Sequence, residues 1–173
     1  MFKFIALLSL SSLLYAAPSN NKVIYGDDNR LDLYEVKNNL FRTLAKSTAG
    51  MVSLDMLQDN GDTFALNRLI TLEQGLNVCS SEKFADQPLA ANCSGFLVSE
   101  NILVTAGHCY SGRAANSCRT HAWVFDYAME SRSSINTDLI EKENVYFCKK
   151  VVKVKFDNQQ DFAIIELDRK VTN

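Results

Sequence analysis

The residues of this chain with the clearest chemical potential are a histidine and two cysteines close to it in sequence. His108 stands directly before Cys109, and Cys93 precedes both. An imidazole is the side chain that most often serves as a general acid or base. If the two cysteines are bridged, the imidazole is fastened to a loop that cannot move far. A disulfide closing a loop of this length contributes about 3 kcal/mol in the chain-entropy model, but positioning the histidine is the more important consequence.

The segment between the two cysteines has the pattern of a β-hairpin. Two apolar runs, at residues 96–98 and 102–104, flank the polar turn at residues 99–101. Short apolar runs separated by turn-forming residues predict paired strands. We therefore expect a hairpin with a cysteine at each foot and His108 at its end.

Residues 93–109 resemble the histidine loop of the trypsin/chymotrypsin-like serine peptidases. The family has C-[SG]-G-x-L-[IV] on one strand and T-A-[AG]-H-C after the next, and this chain reads C-S-G-F-L-V and T-A-G-H-C. Gly107 stands where animal members more often have alanine and bacterial members often have glycine. The resemblance implies that His108 is the general base and that Cys93 and Cys109 form the bridge under it. The alternative is a structural histidine in an ordinary disulfide hairpin.

A second motif supplies a carboxylate. Residues 161–167 read D-F-A-I-I-E-L, which resembles the family's D-[IF]-A-[ILV]-[ILV]-x-L and implies that Asp161 is the partner of His108. An acid that opens an apolar strand is expected to be buried and to need a hydrogen-bonded, positively charging partner. An imidazole Nδ1–H is such a partner, and the contact would fix its tautomer. Taken alone, the motif is equally typical of a capped core strand.

The family's nucleophile motif, G-D-S-G-G, is not in this sequence, which ends at Asn173. Ser94 lies in a strand of the hairpin and lacks that context. The resemblance therefore implies the N-terminal half of a secreted serine endopeptidase that acts through an acyl-enzyme on a peptide or protein substrate. The serine, the oxyanion hole and the specificity pocket would lie in a missing second barrel, and the chain alone is expected to be inactive.

Two other classes of function stay open at this point. The chain could be a non-catalytic pseudoprotease or half-barrel interaction module. It could also hold a metal at the C-x-x-H spacing of Cys118 and His121, although no second matching pair completes a zinc module. We expect neither a metal nor a cofactor.

The N-terminus predicts export. Lys3, the apolar run at residues 4–14 and the small residues that follow are typical of a secretory signal peptide at residues 1–16, with a retained anchor as the alternative. The protein is then secreted or periplasmic.

A leader at residues 17–48 follows the signal, and Val23 within it is a possible mature N-terminus. The stretch V-I-Y-G-D-D-N-R at residues 23–30 is similar to the mature start of bacterial glutamyl endopeptidases, so residues 17–22 would be a propeptide. An unprocessed leader is the alternative.

The chain has five cysteines, and an exported chain usually oxidises them to disulfides. Besides Cys93 and Cys109, we favour a bridge between Cys118 and Cys148, because each flanks an extended segment. With that pairing, Cys79 would have no disulfide partner.

The remaining pattern predicts one all-β domain. Strands are predicted at residues 50–55, 122–127 and 145–156, and the resemblance makes residues 49–173 the first six-stranded antiparallel β-barrel of a double-barrel fold. A possible short helix starts at a capping box formed by Asp32 and Glu35 and runs to about Lys46; it would pack on the barrel or present a partner-binding stripe. The net charge of −2 and the scattered basic residues favour neither nucleic acid nor an anionic membrane as partner.

Overall fold

The computed structural model describes residues 26–67, 70–112, 115–132, 134–135 and 140–172. Contacts divide the chain into two compact units, Met1–Arg30 and Leu31–Asn173. In the first, Arg30 forms an ion pair with Asp28 at 2.8 Å. The predicted signal at residues 1–16, the propeptide at residues 17–22 and the possible N-terminus at Val23 lie outside the described residues.

The second unit is built mainly of strands. They are β1 Thr48–Ser53, β2 Leu57–Asp59, β3 Thr63–Leu66, β4 Ala91–Ser99, β5 Ile102–Thr105, β6 His121–Phe125, β7 Met129–Ser131, β8 Ser134–Ile135, β9 Ile140–Glu141, β10 Val145–Phe156 and β11 Asp161–Leu167. The α-helices are α1 Asn39–Ala45, α2 Leu72–Leu76 and α3 Ser117–Thr120, and 3₁₀ turns occupy Leu33–Glu35, Leu54–Met56, Gly107–Tyr110 and Lys142–Asn144. No helix in the described part of the chain is long and apolar enough to cross a membrane.

Six strands close a barrel in the order β1-β4-β5-β11-β10-β6, and every neighbouring pair is antiparallel. This confirms the predicted all-β class and the six-stranded barrel. Alternate side chains of β11 point inward, so Ala163, Ile165 and Leu167 are fully buried, as the two-residue period of a strand requires. Trp123, Phe125 and Tyr146 fill the same core.

One glycine allows this core to close. A Cβ added to Gly95 would overlap the Leu103 side chain and lie 3.0 Å from the Trp123 ring. Gly95 pairs with Thr105 across the β4–β5 hairpin. The missing side chain therefore lets the large indole pack directly over the hairpin that carries His108.

Three short strands and a helix add structure outside the barrel. Strands β2, β3 and β9 form a small separate sheet. Helix α2 starts at a capping box in which Thr71 and Gln74 exchange side-chain-to-backbone hydrogen bonds. Leu66 and Ile140 of this layer are buried against Val52, Val124 and Val145 in a second apolar cluster.

The helix predicted near the leader differs from prediction in two ways. The capping box of Asp32 and Glu35 is present, but it starts only the short 3₁₀ turn Leu33–Glu35. Helix α1 begins separately because the Asn38 side chain accepts a hydrogen bond from the Leu40 N–H. The prediction that this helix packs on the barrel is also wrong. No residue of α1 is buried, and its apolar side chains Leu40, Phe41 and Leu44 are exposed.

Candidate active site

A single carboxylate holds His108 at two points. The backbone N–H of His108 donates to Asp161 Oδ1 at 2.9 Å, and the ring Nδ1 lies 2.8 Å from Oδ2. Because a carboxylate only accepts, the proton of the neutral ring belongs on Nδ1. Nε2 then carries the free lone pair, which is the state that a general base requires.

Three strands bring the pair together. Strand β5 pairs with β11, with Thr105 opposite Ala163, and Asp161 is the first residue of β11. After Ala106 the chain turns into the 3₁₀ helix Gly107–Tyr110, and this turn passes so close to β10 that a Cβ on Gly107 would overlap the carbonyl oxygen of Lys155. The glycine therefore allows the histidine turn to sit against the β10–β11 hairpin.

Two disulfides brace the region. Cys93 is bridged to Cys109, and Cys118 is bridged to Cys148. The first joins β4 to the turn that carries His108, and the second joins α3 to β10. Cys79 is unbridged and exposed.

A buried hydrogen bond anchors the histidine turn from its other side. The indole Nε1–H of Trp123 donates to the Tyr110 hydroxyl at 3.0 Å, and both side chains are buried. Burial raises the pKa of Tyr110 to about 12, so the hydroxyl stays protonated. Tyr110 was not predicted from sequence patterns, although its position two residues after His108 was a usable signal.

Asp161 is more exposed than the sequence predicts. Its side chain is 42% exposed and that of His108 is 55% exposed, so the expectation of a buried carboxylate is wrong for this chain. Asp161 has the inward parity of Ala163 and Ile165, but it lies at the open end of the barrel, where the strand begins. The hydrogen bond from the His108 ring, followed by that from the His108 backbone, lowers the pKa of Asp161.

Phe156 forms the wall beside the pair. It is the strand partner of Asp161 across the β10–β11 turn, and its ring meets the His108 ring edge-on, with centroids 6.0 Å apart. The ring is exposed. Sequence reasoning missed Phe156, because its proximity to His108 depends on the strand register that the four-residue turn sets.

The arrangement offers no thiolate for a metal. Cys93, His108 and Cys109 are close enough to resemble a ligand set, but both sulfurs are consumed in their bridge. The C-x-x-H alternative fails for the same reason, since Cys118 is bridged to Cys148. His121 instead lies in a polar network with Asn92 and Thr120.

The barrel therefore presents a solvent-exposed imidazole whose Nδ1 lies against a carboxylate. A family model described as Trypsin matches residues 79–173, more than half of the chain, so the chain belongs to the trypsin family of serine peptidases. The match contains His108, Asp161 and all five cysteines. No match was found among the curated proteins or among the solved structures.

Proposed function

We propose that this chain supplies the general base and its orienting carboxylate to a secreted serine endopeptidase. The observation that carries the proposal is the double contact of Asp161 with the ring and the backbone of His108. That contact fixes both the position of the imidazole and the nitrogen that bears its proton. A merely structural histidine would need neither an open face nor a free Nε2.

In this mechanism Nε2 of His108 takes the proton of a serine hydroxyl as the hydroxyl attacks the scissile carbonyl. It later gives the proton to the leaving amine, and Asp161 stabilises the imidazolium between the two steps. The exposed ring face leaves room for both reactants. The substrate is a peptide or protein chain.

This chain lacks a serine in the sequence motif that surrounds the family's nucleophile. The sequence contains no G-D-S-G-G motif, and no serine of the described residues is hydrogen-bonded to His108. We propose that the nucleophile, with the oxyanion hole and the specificity pocket, comes from sequence outside these residues, and that the 173-residue chain alone does not hydrolyse peptides.

A serine-directed fluorophosphonate probe tests the missing nucleophile. The purified chain is expected to remain unlabelled, and specific labelling that His108→Ala abolishes would contradict the proposal. The coding sequence beyond Asn173 gives a second test. A G-D-S-G-G motif there is expected, whereas an authentic stop with a stable folded product would favour a non-catalytic module.

Export is part of the same proposal. Two disulfides favour an oxidising compartment, and residues 1–16 have the composition of a signal peptide. N-terminal sequencing of the exported protein is expected to begin at Val23. A different first residue would remove the proposed propeptide and, with it, the likeness to glutamyl endopeptidases.

A further inference from the structure

Both histidines of the chain line one shallow pocket of about 380 Å³. The Cys93–Cys109 bridge and Met51 contribute apolar surface, and Asn92 and Thr120 contribute polar groups. The proposed function uses His108 but gives His121 no role. A second titratable ring beside the first is the least explained feature of the site.

The neutral form of His121 completes a directed chain of hydrogen bonds. The Thr120 hydroxyl lies 3.2 Å from the Asn116 carbonyl, to which it donates, and 2.9 Å from His121 Nδ1. Since a hydroxyl has a single proton, its oxygen accepts from Nδ1–H. His121 Nε2 is then an acceptor, and it faces Asn92 Nδ2 at 3.2 Å, so Asn92 donates.

Adding a proton to His121 breaks this agreement. Nε2–H would then point at an NH₂ group, with donor against donor. Turning the Asn92 carboxamide over restores the bond by placing Oδ1 against Nε2–H. The atom that Asn92 presents away from His121 thereby changes from an acceptor oxygen to a donor NH₂ group.

We propose that His121 protonation sets which end of the Asn92 carboxamide faces a bound peptide in the pocket beside His108. With neutral His121, the pocket offers an oxygen and suits a donor side chain such as lysine. With cationic His121, it offers NH₂ and a positive charge and suits a carboxylate such as glutamate. The inference rests on the proposed function, because it takes this pocket as part of the peptide-binding surface.

Burial and a nearby carboxylate act on the protonation of His121 in opposite directions. Burial lowers the pKa of His121, while the carboxylate of Asp55 acts against this shift. Asp55 lies in the 3₁₀ turn after β1. The charged side chain that α3 contributes next to His121 is Arg119, whose Nη2 donates to Asn116 Oδ1. The other titratable group that lines the pocket is His108. The neutral form, with the Asn92 oxygen outward, is therefore the form present near neutral pH.

The switch itself is tested on the untagged 173-residue chain by NMR. Only two histidine ring spin systems exist, so each titration can be followed separately. The side-chain NH₂ signals of Asn92 are expected to shift with the midpoint of His121. His121→Gln should abolish that transition, while His108→Gln, a matched change in the same pocket, should leave it intact. Asn92 signals that ignore pH or follow His108 would overturn the inference.

Recognition is tested with two series of blocked alanine pentapeptides that carry one lysine or one glutamate at each position in turn. Below the His121 midpoint, the ratio of lysine-peptide to glutamate-peptide affinity should fall about tenfold, the equivalent of one hydrogen bond. In Asn92→Asp, which has no donor to turn outward, that change should be smaller.

The two proposals fail in different ways. Peptides that shift the His108 signals with an unchanged lysine-to-glutamate ratio would overturn the inference and leave the proposed function standing. Peptides that shift neither histidine would overturn the recognition role even with the Asn92 transition present. The proposed function itself is judged separately by the tautomer of His108.

Discussion

The two histidines share a pocket but have opposite kinds of partner. His108 meets a carboxylate, which holds its ring nitrogen and its backbone N–H. His121 meets a hydroxyl and a carboxamide, both neutral. A carboxylate stabilises an imidazolium, whereas neutral partners and partial burial favour the uncharged ring. The partner, rather than the histidine itself, therefore decides which protonation state of each ring is favoured.

The largest effect is expected from making the two environments alike. Asp161→Asn gives His108 a carboxamide partner, as His121 has, and the amide can impose the wrong tautomer. Turnover by an active peptidase containing this chain should fall roughly 10⁴-fold. Peptide hydrolysis under saturating substrate measures it.

Asp157→Asn is the matched control for that change. The Asp157 carboxylate lies in the same hairpin turn and accepts from the Gln159 and Gln160 backbone N–H groups, without contact to His108. The turnover of the Asp157→Asn variant should stay near that of the unmodified enzyme. A loss below tenfold in Asp161→Asn would contradict the assigned role.

The next effect concerns the two bridges. Removing Cys93–Cys109 by paired serine substitutions should lower the free energy of unfolding by about 3 kcal/mol and disturb His108. Removing Cys118–Cys148 should lower the free energy of unfolding by a similar amount. Because Cys118 lies three residues before His121, this change should disturb His121 instead. Urea unfolding and the two histidine NMR signals measure both; equal disturbance of both rings by either change would contradict separate bracing.

Sequence patterns predicted the parts of this site that lie in continuous motifs. The strands around residues 93–109 and 145–167, the pair His108 and Asp161, and the two bridges could all be named in advance. Exposure of Asp161 could not, because a strand's parity does not say where the barrel ends. Phe156 and Asn92 were missed for a related reason: each is far from its histidine in sequence and comes close to it only when the barrel folds.

A smaller effect is expected from the buried anchor of the His108 turn. Tyr110→Phe leaves the Trp123 N–H without its partner and should cost about 1–3 kcal/mol of stability. Tyr127→Phe is the control, because its hydroxyl donates to the Pro88 carbonyl at 3.2 Å, away from the turn. Only Tyr110→Phe should also shift the His108 signal. An unshifted signal with normal stability would show that the anchor has no influence.

The smallest predicted effects are changes in stability with pH, which fall in different pH ranges for His121 and Asp161. His121 has a pKa below its ordinary 6.5, so the unfolded chain takes up that proton first and stability falls as pH drops through this range. Asp161 has a pKa below its ordinary 3.8, so its contribution is lost only in stronger acid.

Urea midpoints measured against pH should therefore show two declines. His121→Gln should reduce the upper one. Asp161→Asn should reduce the lower one without abolishing it, since hydrogen bonds also lower the pKa of Asp59, Asp157 and Glu166. Identical profiles in all three proteins would contradict the assigned linkage.

The most direct test of the base is the protonation pattern of its neutral ring. Histidine ¹⁵N NMR of the 173-residue chain should show His108 with its proton on Nδ1 and a bare Nε2, and Asp161→Asn should alter that pattern for His108 while leaving His121 unchanged. A proton on Nε2 in the unmodified protein, or a His108 signal indifferent to Asp161, would contradict its role as the general base.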